Sequence, residues 1–155
     1  RVWGYNMIIK LGKNSGKGKV LQVVQGVKTD VLTSTSTSFI DVTGLTATIT
    51  PSATSSKILI STDFKGTLGL AGEVTVETQL LRDSTVIYNM GIVGTAYENF
   101  QTYSGGMFLD NPSSTSSLTY KIQLKGDGGT FGCNRRKLDT TDRSESTITV
   151  MEIEA

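Results

Sequence analysis

The sequence predicts an all-β domain, an antiparallel β-sandwich or jelly roll of about nine or ten short strands. Segments in which apolar and polar residues alternate recur along most of the chain, with turn-forming residues between them. Serine and threonine make up about a quarter of the residues, β-branched residues are plentiful and the net charge is only +1. That composition is typical of a folded chain rather than a disordered one. No segment has the spacing of a convincing amphipathic helix.

The first half of the chain contains four predicted strands. Within the third, Leu45, Ala47 and Ile49 point one way and the threonines point the other. Pro51 ends that strand because proline cannot donate to a strand ladder. The fourth strand runs into a glycine-rich break, "KGTLGLAGE". The four segments are "KVLQVVQGVK" (19–28), "TSTSFIDV" (35–42, followed by a "TG" turn), "LTATITP" (45–51) and "SKILISTDF" (56–64).

The second half repeats this pattern. "DS" (83–84) predicts a tight hairpin turn, and "GDGG" (126–129) predicts another because glycine tolerates positive φ. The stretch 91–102 is the best place for a short helix or an irregular loop. The predicted strands are "VTVETQLLR" (74–82), "TVIYNM" (85–90), "YSGGMFLD" (103–110), "LTYKIQLK" (118–125) and "STITVMEIE" (146–154).

One phrase occurs twice, as "TPSATSSKILI" from residue 50 and "NPSSTSSLTYKI" from residue 111. Thr50-Pro51 and Asn111-Pro112 initiate turns, and the following hydroxyl groups bond nearby backbone groups. Each phrase then leads into a long alternating strand. We interpret the two as equivalent corners at one end of a sandwich. The alternative is that "PSSTSS" is simply a favoured low-complexity connector.

The charges predict a basic N-terminal arm, residues 1–19, on a β-sandwich domain, residues 20–155. Residues 1–29 hold six bases and no acid, whereas the remainder holds nine bases and fourteen acids. Such an arm suits an acidic partner or a neighbouring subunit, and otherwise it is a solvated connector. We expect neither nucleic-acid binding nor membrane insertion, since no nucleic-acid module and no apolar run of about 20 residues occurs. The candidate anchoring residues are Trp3, Lys10, Lys13, Lys17 and Lys19.

The sequence offers little for catalysis. Without histidine there is neither a Ser–His nor a Cys–His pair. Cys133 lies near two arginines, but we expect it to be a small residue in a β-rich loop. The acids of "LDTTDRSE" (138–145) predict a solvated loop rather than a calcium site. Glu152 and Glu154 share one face of the last strand, which we expect to be its wet side. We therefore expect no enzyme activity, no cofactor and no metal.

Two loops are candidates for receptor contact. Tyrosine and asparagine suit binding surfaces because they supply area and hydrogen bonds at a low entropy cost. The equally plausible alternative is that about half of the aromatic residues fill the core. The candidate contacts are Tyr97, Asn99, Phe100 and Tyr103 in the first loop, and Asn134, Arg135 and Arg136 in the second.

Five phrases, taken in order, resemble a module common in structural proteins of marine bacteriophages, especially tail-fibre-like virion proteins of cyanophages. They are "GKVLQVVQ", "TSTSFIDVTGLTATITPSATSSKILI", "LLRDSTVIY", "FLDNPSSTSSLTYKIQLK" and "STITVMEIEA", and the resemblance covers residues 18–154. It implies a jelly-roll unit of a homotrimeric fibre or knob, similar in architecture to the trimeric heads of the tumour-necrosis-factor family. It implies no enzyme activity and supplies no catalytic residue.

Three functions are compatible with these observations. The first is a virion protein, a trimeric tail-fibre or knob domain attached to other virion proteins and contacting a host-surface glycan or protein. The second is a capsid decoration or head-fibre protein anchored to the shell through the basic arm. The third is a glycan-binding β-sandwich module, although the only tryptophan, Trp3, lies in the arm.

Overall fold

The computed structural model describes residues 18–71, 73–96, 100–135 and 144–155. These residues are almost entirely strands, turns and bends, and they contain no helix. Ten strands lie in the described ranges: β1 (Val20–Lys28), β2 (Leu32–Ser34), β3 (Ile40–Ile49), β4 (Lys57–Ala71), β5 (Val74–Arg82), β6 (Thr85–Ala96), β7 (Phe100–Asp110), β8 (Leu118–Gly126), β9 (Thr130–Cys133) and β10 (Ser146–Ile153). The predicted all-β sandwich is confirmed.

The strands form two antiparallel sheets, and eight of them are arranged as a jelly roll. In the first, here called sheet A, the long strands lie in the order β1-β10-β4-β7. The short β9 continues along β4 beyond the end of β10 and pairs with β2. The second, sheet B, has the order β3-β8-β5-β6. The chain passes repeatedly from one sheet to the other, so the core depends on contacts that are distant in sequence.

The core lies between the inner faces of the two sheets. On β8 the residues alternate strictly, and Tyr120, Ile122 and Leu124 are fully buried. On β3, Leu45, Ala47 and Ile49 are buried and the threonines beside them are exposed, as the alternation predicted. Burial of such a face removes apolar surface from water and stabilises the fold by about 25 cal/mol for each Å² buried. This hydrophobic effect is the main force that holds the two sheets together.

The repeated phrase forms two corners at the same end of the sandwich. Ile49, the last residue of β3, lies opposite Leu118, the first residue of β8. At the same end of sheet A, Ile58 of β4 lies opposite Asp110, the last residue of β7. Residues 50–56 therefore cross from sheet B to sheet A, and residues 111–117 cross back. The two corners lie at one end of the sandwich, as predicted, but their backbones differ, since residues 52–55 form bends and a turn whereas Ser113 in the second corner has a positive φ.

Several predicted boundaries were wrong because pairing with neighbours overrides local glycine signals. β4 continues through Gly66, where it has β7 on one side and β9 on the other. The predicted turn at Gly44 lies inside β3, at a register shift between Asp41 and Thr46 that uses the positive φ of this glycine. The stretch 91–102 is mostly strand, since β6 extends to Ala96 and β7 starts at Phe100.

The sandwich is closed differently along its two sides. Along one side β1 lies against β3 so closely that a Cβ on Gly26 would lie 2.0 Å from the carbonyl oxygen of Thr46. Along the other side β6 approaches β7, and the rings of Tyr88 and Phe108 stack with their centroids 5.1 Å apart. The glycine is required on the first side because only a residue without a side chain permits that approach.

Candidate interaction surface

The outer face of sheet A presents a row of apolar side chains that runs across four strands. In the strand register Val23 of β1 lies opposite Met151 of β10, Met151 lies opposite Leu59 of β4, and Leu59 lies opposite Leu109 of β7. These residues point away from the core because their sequence neighbours, such as Val150 and Ile60, are fully buried. We call this row the apolar row.

The apolar row is exposed at its two ends, its central members Leu59 and Met151 are partly buried, and further apolar side chains extend it. Val23 is 57% exposed and Leu109 is 55% exposed. Met107, two residues before Leu109 on β7, is 66% exposed. Leu21 and Val27 project from β1 on the same face and are 39% and 45% exposed. An exposed valine or leucine is common on its own, but a contiguous set across a sheet marks a site of interaction.

The charges on this face largely balance. The ammonium group of Lys65 is paired with the carboxylate of Asp63 on the same strand. It also lies 4.7 Å from the centre of the Tyr103 ring, as a cation–π contact. On the four long strands Lys57 is a further charged side chain of this face, and beyond them Arg135 bonds Thr33 of β2. The surface is therefore close to neutral.

The outer face of sheet B is different, because polar side chains bond one another across its strands. Asp41 accepts hydrogen bonds from Lys121 Nζ at 2.8 Å and from Gln123 Nε2 at 2.7 Å. The hydrogen bond from Lys121 is the largest cause of the lowered pKa of the Asp41 carboxyl. Gln79 Nε2 donates in turn to Gln123 Oε1 at 2.7 Å, and Lys125 lies 3.2 Å from Glu77. These bonds connect the three strands β3, β8 and β5.

A groove of about 440 Å³ opens on this polar face, lined by Phe39, Glu77, Thr78, Asn89 and Gly91. Phe39 is its aromatic residue, and the ammonium of Lys125 lies 5.0 Å from the ring centre. A sugar that stacked on this side of the ring would have to displace the ammonium. The groove therefore gives the glycan-binding alternative little support.

The first predicted receptor loop is only partly described. Tyr103 lies in β7, is 68% exposed and borders the outer face of sheet A. Phe100 begins the same strand. Tyr97 and Asn99 lie outside the described residues. The expectation of a loop at Phe100 and Tyr103 was wrong, since both belong to the long strand that pairs with β4.

The second predicted loop contains a buried structural residue. Asn134 is fully buried, so its side chain is not available to a receptor, which corrects the prediction. Its Nδ2 donates to the carbonyl of Lys28 at 2.7 Å, and its Oδ1 accepts from Ser146 Oγ at 2.7 Å. Arg135 is partly buried and donates from Nη1 to Thr33 Oγ1 at 3.0 Å. Arg136 lies outside the described residues, as does most of the acidic segment 138–145.

Cys133 ends β9 and is a free, fully buried thiol. Burial raises the pKa of this thiol to about 11, although the nearby ammonium of Lys28 opposes the shift. A thiol with so high a pKa is a poor nucleophile at neutral pH. Cys133 was expected to be a small residue in a loop, and it lies instead at the end of a strand.

Glu152 is not on the wet side of β10, which corrects the prediction for this residue. It is 1% exposed and holds the first corner. Its carboxylate accepts hydrogen bonds from Ser52 N at 2.7 Å, from Ser52 Oγ at 2.6 Å and from Gln22 Nε2 at 2.7 Å. Desolvation by itself would raise the pKa of this carboxyl, but hydrogen bonds from Ser52, Ser56 and Gln22 outweigh it and lower the pKa to about 2.

A second carboxylate holds the other corner. Asp110 is 7% exposed and accepts two hydrogen bonds from Arg82 Nη1, at 2.9 and 2.7 Å. The buried hydroxyl of Tyr120 donates to it at 2.7 Å. Burial is the largest cause of the raised pKa of that tyrosine. Because every oxygen of Glu152 and Asp110 is bonded inside the domain, we assign both residues to folding rather than to acid–base chemistry.

The basic arm is described only from its end. Gly18 N donates to Glu154 O at 2.7 Å and Glu154 N donates to Lys19 O at 2.9 Å, so the chain enters β1 beside the end of β10. Trp3, Lys10, Lys13 and Lys17 lie outside the described residues, and their anchoring role stays a prediction. Within the described part no helix has the length and hydropathy to span a membrane. No cluster of potential metal ligands occurs there either.

Comparison with known proteins identifies the fold. No protein-family model and no curated protein matches the sequence. The chain is similar to a protein in the crystal structure of the T13 IBDV viral particle, with a TM-score of 0.50 and 8% identity, over 99% of this chain and 40% of that one. It is also similar to infectious bursal disease virus VP2 in a subviral particle, with a TM-score of 0.47 and 10% identity, over 99% of this chain and 42% of that one.

The chain thus spans about two fifths of the length of these viral proteins. At 8% identity the first similarity shows the fold alone. A viral particle protein has this jelly roll.

Proposed function

We propose that this chain is a non-enzymatic structural subunit of a virion, a homotrimeric tail-fibre or knob domain that contacts the host surface. The observation that carries the proposal is the jelly-roll strand order of this chain, whose fold is similar to that of a viral particle protein. The resemblance of residues 18–154 to fibre-like phage proteins supports the more specific role.

The distribution of polar groups also supports a structural role. The two buried carboxylates, Glu152 and Asp110, are saturated by internal hydrogen bonds at the corners. The apolar row offers a surface for assembly, which a virion subunit requires. Tyr103, which is 68% exposed at the border of the same face, is the described residue that we propose for host contact.

Capsid decoration is the second candidate, and the position of the arm favours it. The chain enters β1 beside Glu154, at the corner end of the sandwich. A basic segment joined to the domain at this end would contact a shell that lies on the same side. In this role the domain points outward and Lys10, Lys13 and Lys17 contact the shell.

The test is electron microscopy of the source particles with a gold-labelled antibody against this chain. Label at fibre or tail tips is the expected result. Label spread over the head would replace the fibre role with decoration. Absence of label from every particle, with the purified chain labelled under the same conditions as a control, would overturn the virion role.

A further inference from the structure

We propose that the outer face of sheet A is the surface through which copies of this chain associate, with the apolar row at the centre of the contact. This inference rests on the proposed function, because it names the partner that a homo-oligomeric virion subunit requires. The row places Val23, Met151, Leu59 and Leu109 side by side across four strands. Met107 and Leu21 extend it in both strand directions.

The chemistry of the face selects a protein partner. Small molecules bind in concave sites with a few converging polar groups, whereas this face is the surface of a sheet with apolar residues at its middle. Nucleic acids and anionic membranes require several uncompensated basic residues. Here Lys65 is already paired with Asp63 and Arg135 bonds Thr33, so among the described residues the four long strands contribute Lys57 as a base outside such pairs.

The charge balance of the face favours a second copy over an unrelated, charged partner. Two copies that meet through a nearly neutral surface do not repel each other. The intrastrand pair of Asp63 and Lys65 lies beyond the apolar row, where it would form a polar rim. On the outer face of sheet B, by contrast, polar side chains of β3, β8 and β5 form hydrogen bonds with one another.

The size of the face can be compared with that of a standard interface. Four strands at about 4.8 Å spacing and seven residues at about 3.3 Å each cover a plane of roughly 400 Å², and side chains that stand above the plane enlarge it. Each partner in a standard interface contributes about 800 Å². The plane of the face alone therefore corresponds to about half of one side of a standard interface.

The experiment is sedimentation velocity of the full chain over a range of concentrations, with five variants. Val23→Asp, Leu109→Asp and their combination place carboxylates in the apolar row. Thr48→Asp is the matched control, since it adds the same charge to an exposed position on the outer face of sheet B, in β3, which is an edge strand like β1 and β7. The milder Leu109→Ser tests the same position if an aspartate prevents folding, which circular dichroism detects.

We expect the wild type and Thr48→Asp to form the same oligomer. The protein concentration at which the oligomer dissociates should be at least about 100-fold higher for the aspartate variants of the apolar row than for the wild type. The reason is that assembly of these variants would bury an unpaired charge. A wild type that stays monomeric at all concentrations would overturn the inference. An oligomer of unchanged stability in the double variant would also overturn it and leave the virion role intact. If association depends on the apolar row but the chain is absent from virus particles, only the proposed virion role is refuted.

Discussion

The two outer faces of the sandwich are built from strands of similar length, but they present different surfaces to solvent. On sheet B, Asp41, Lys121 and Gln123 bond one another across the strands. On sheet A, Val23, Leu109 and Met107 expose more than half of their side chains to water. A face of mutually bonded polar groups is complete in a monomer. An apolar face is completed by another surface, and this difference locates the assembly contact.

The largest expected effect comes from two adjacent residues of β4 that face opposite ways. Ile60 is fully buried, whereas Leu59 belongs to the apolar row. Ile60→Ala should lower the free energy of unfolding by about 3–4 kcal/mol because it leaves a cavity in the core. Leu59→Ala should cost about 1 kcal/mol in the monomer and weaken association, as measured by urea unfolding and sedimentation. Equal costs in unfolding would contradict the assignment of the two faces.

A second prediction concerns the strand that carries Val23 to the apolar row. Gly26→Ala places a Cβ 2.0 Å from the backbone oxygen of Thr46, so β1 must move away from β3. We expect a loss of about 2–3 kcal/mol in urea unfolding together with weaker association. Gly106→Ala is the control, because its Cβ would meet no atom within 4 Å. A variant at Gly26 as stable as this control would refute the close approach.

A third prediction compares two glutamates at the end of β10, one buried at the first corner and one just beyond the strand. Glu152→Ala removes the carboxylate that accepts hydrogen bonds from Ser52 and Gln22. The free energy of unfolding should therefore fall by about 2 kcal/mol. Glu154→Ala, two residues later, should change little. Thermal unfolding of the two variants measures the difference.

The same carboxylate gives a pH dependence with a definite sign. The pKa of Glu152 is about 2 in the folded chain, against an ordinary value of 4.5. Because the pKa is lower in the folded state, the ionised carboxylate stabilises the fold at pH values above 4.5. This stabilisation is lost as the pH falls toward 2. The wild type should therefore lose more stability than Glu152→Ala over that range. Parallel losses would show that Glu152 titrates normally.

The smallest effect is expected on the polar face. Asp41→Asn removes an exposed ion pair with Lys121, and such pairs contribute under about 1 kcal/mol. We expect a small change in urea unfolding and no change in the mass of the oligomer. A loss of association in this variant would show that sheet B also contacts another copy.

The fold was predictable because alternation in β3, β5, β8 and β10 follows directly from a sheet with one buried face. The two corners were predictable because proline and serine act locally. The short β2 and β9 were missed, since strands of three and four residues carry almost no periodic signal. The continuation of β4 through its glycines depends on neighbours that are remote in sequence.

The surface was harder to predict than the fold. The sequence signal for this surface is a pair of consecutive apolar residues in one strand, whose side chains point to opposite faces of the sheet. Examples are Val150-Met151 of β10 and Phe108-Leu109 of β7. Such a pattern indicates two covered faces, but only the register places Met151 next to Leu109 across β4. Asn134 misled the prediction because its exposure depends on Lys28 and Ser146, which are distant in the sequence or on another strand.

The most direct test is methionine oxidation by dilute hydrogen peroxide, read residue by residue by mass spectrometry on the assembled chain. Met107 is 66% exposed in the isolated domain and should react as a freely accessible thioether there. If copies meet through the outer face of sheet A, Met107 is protected in the wild-type oligomer and becomes reactive in the Val23→Asp, Leu109→Asp double variant. Equally fast oxidation of Met107 in both would contradict the account.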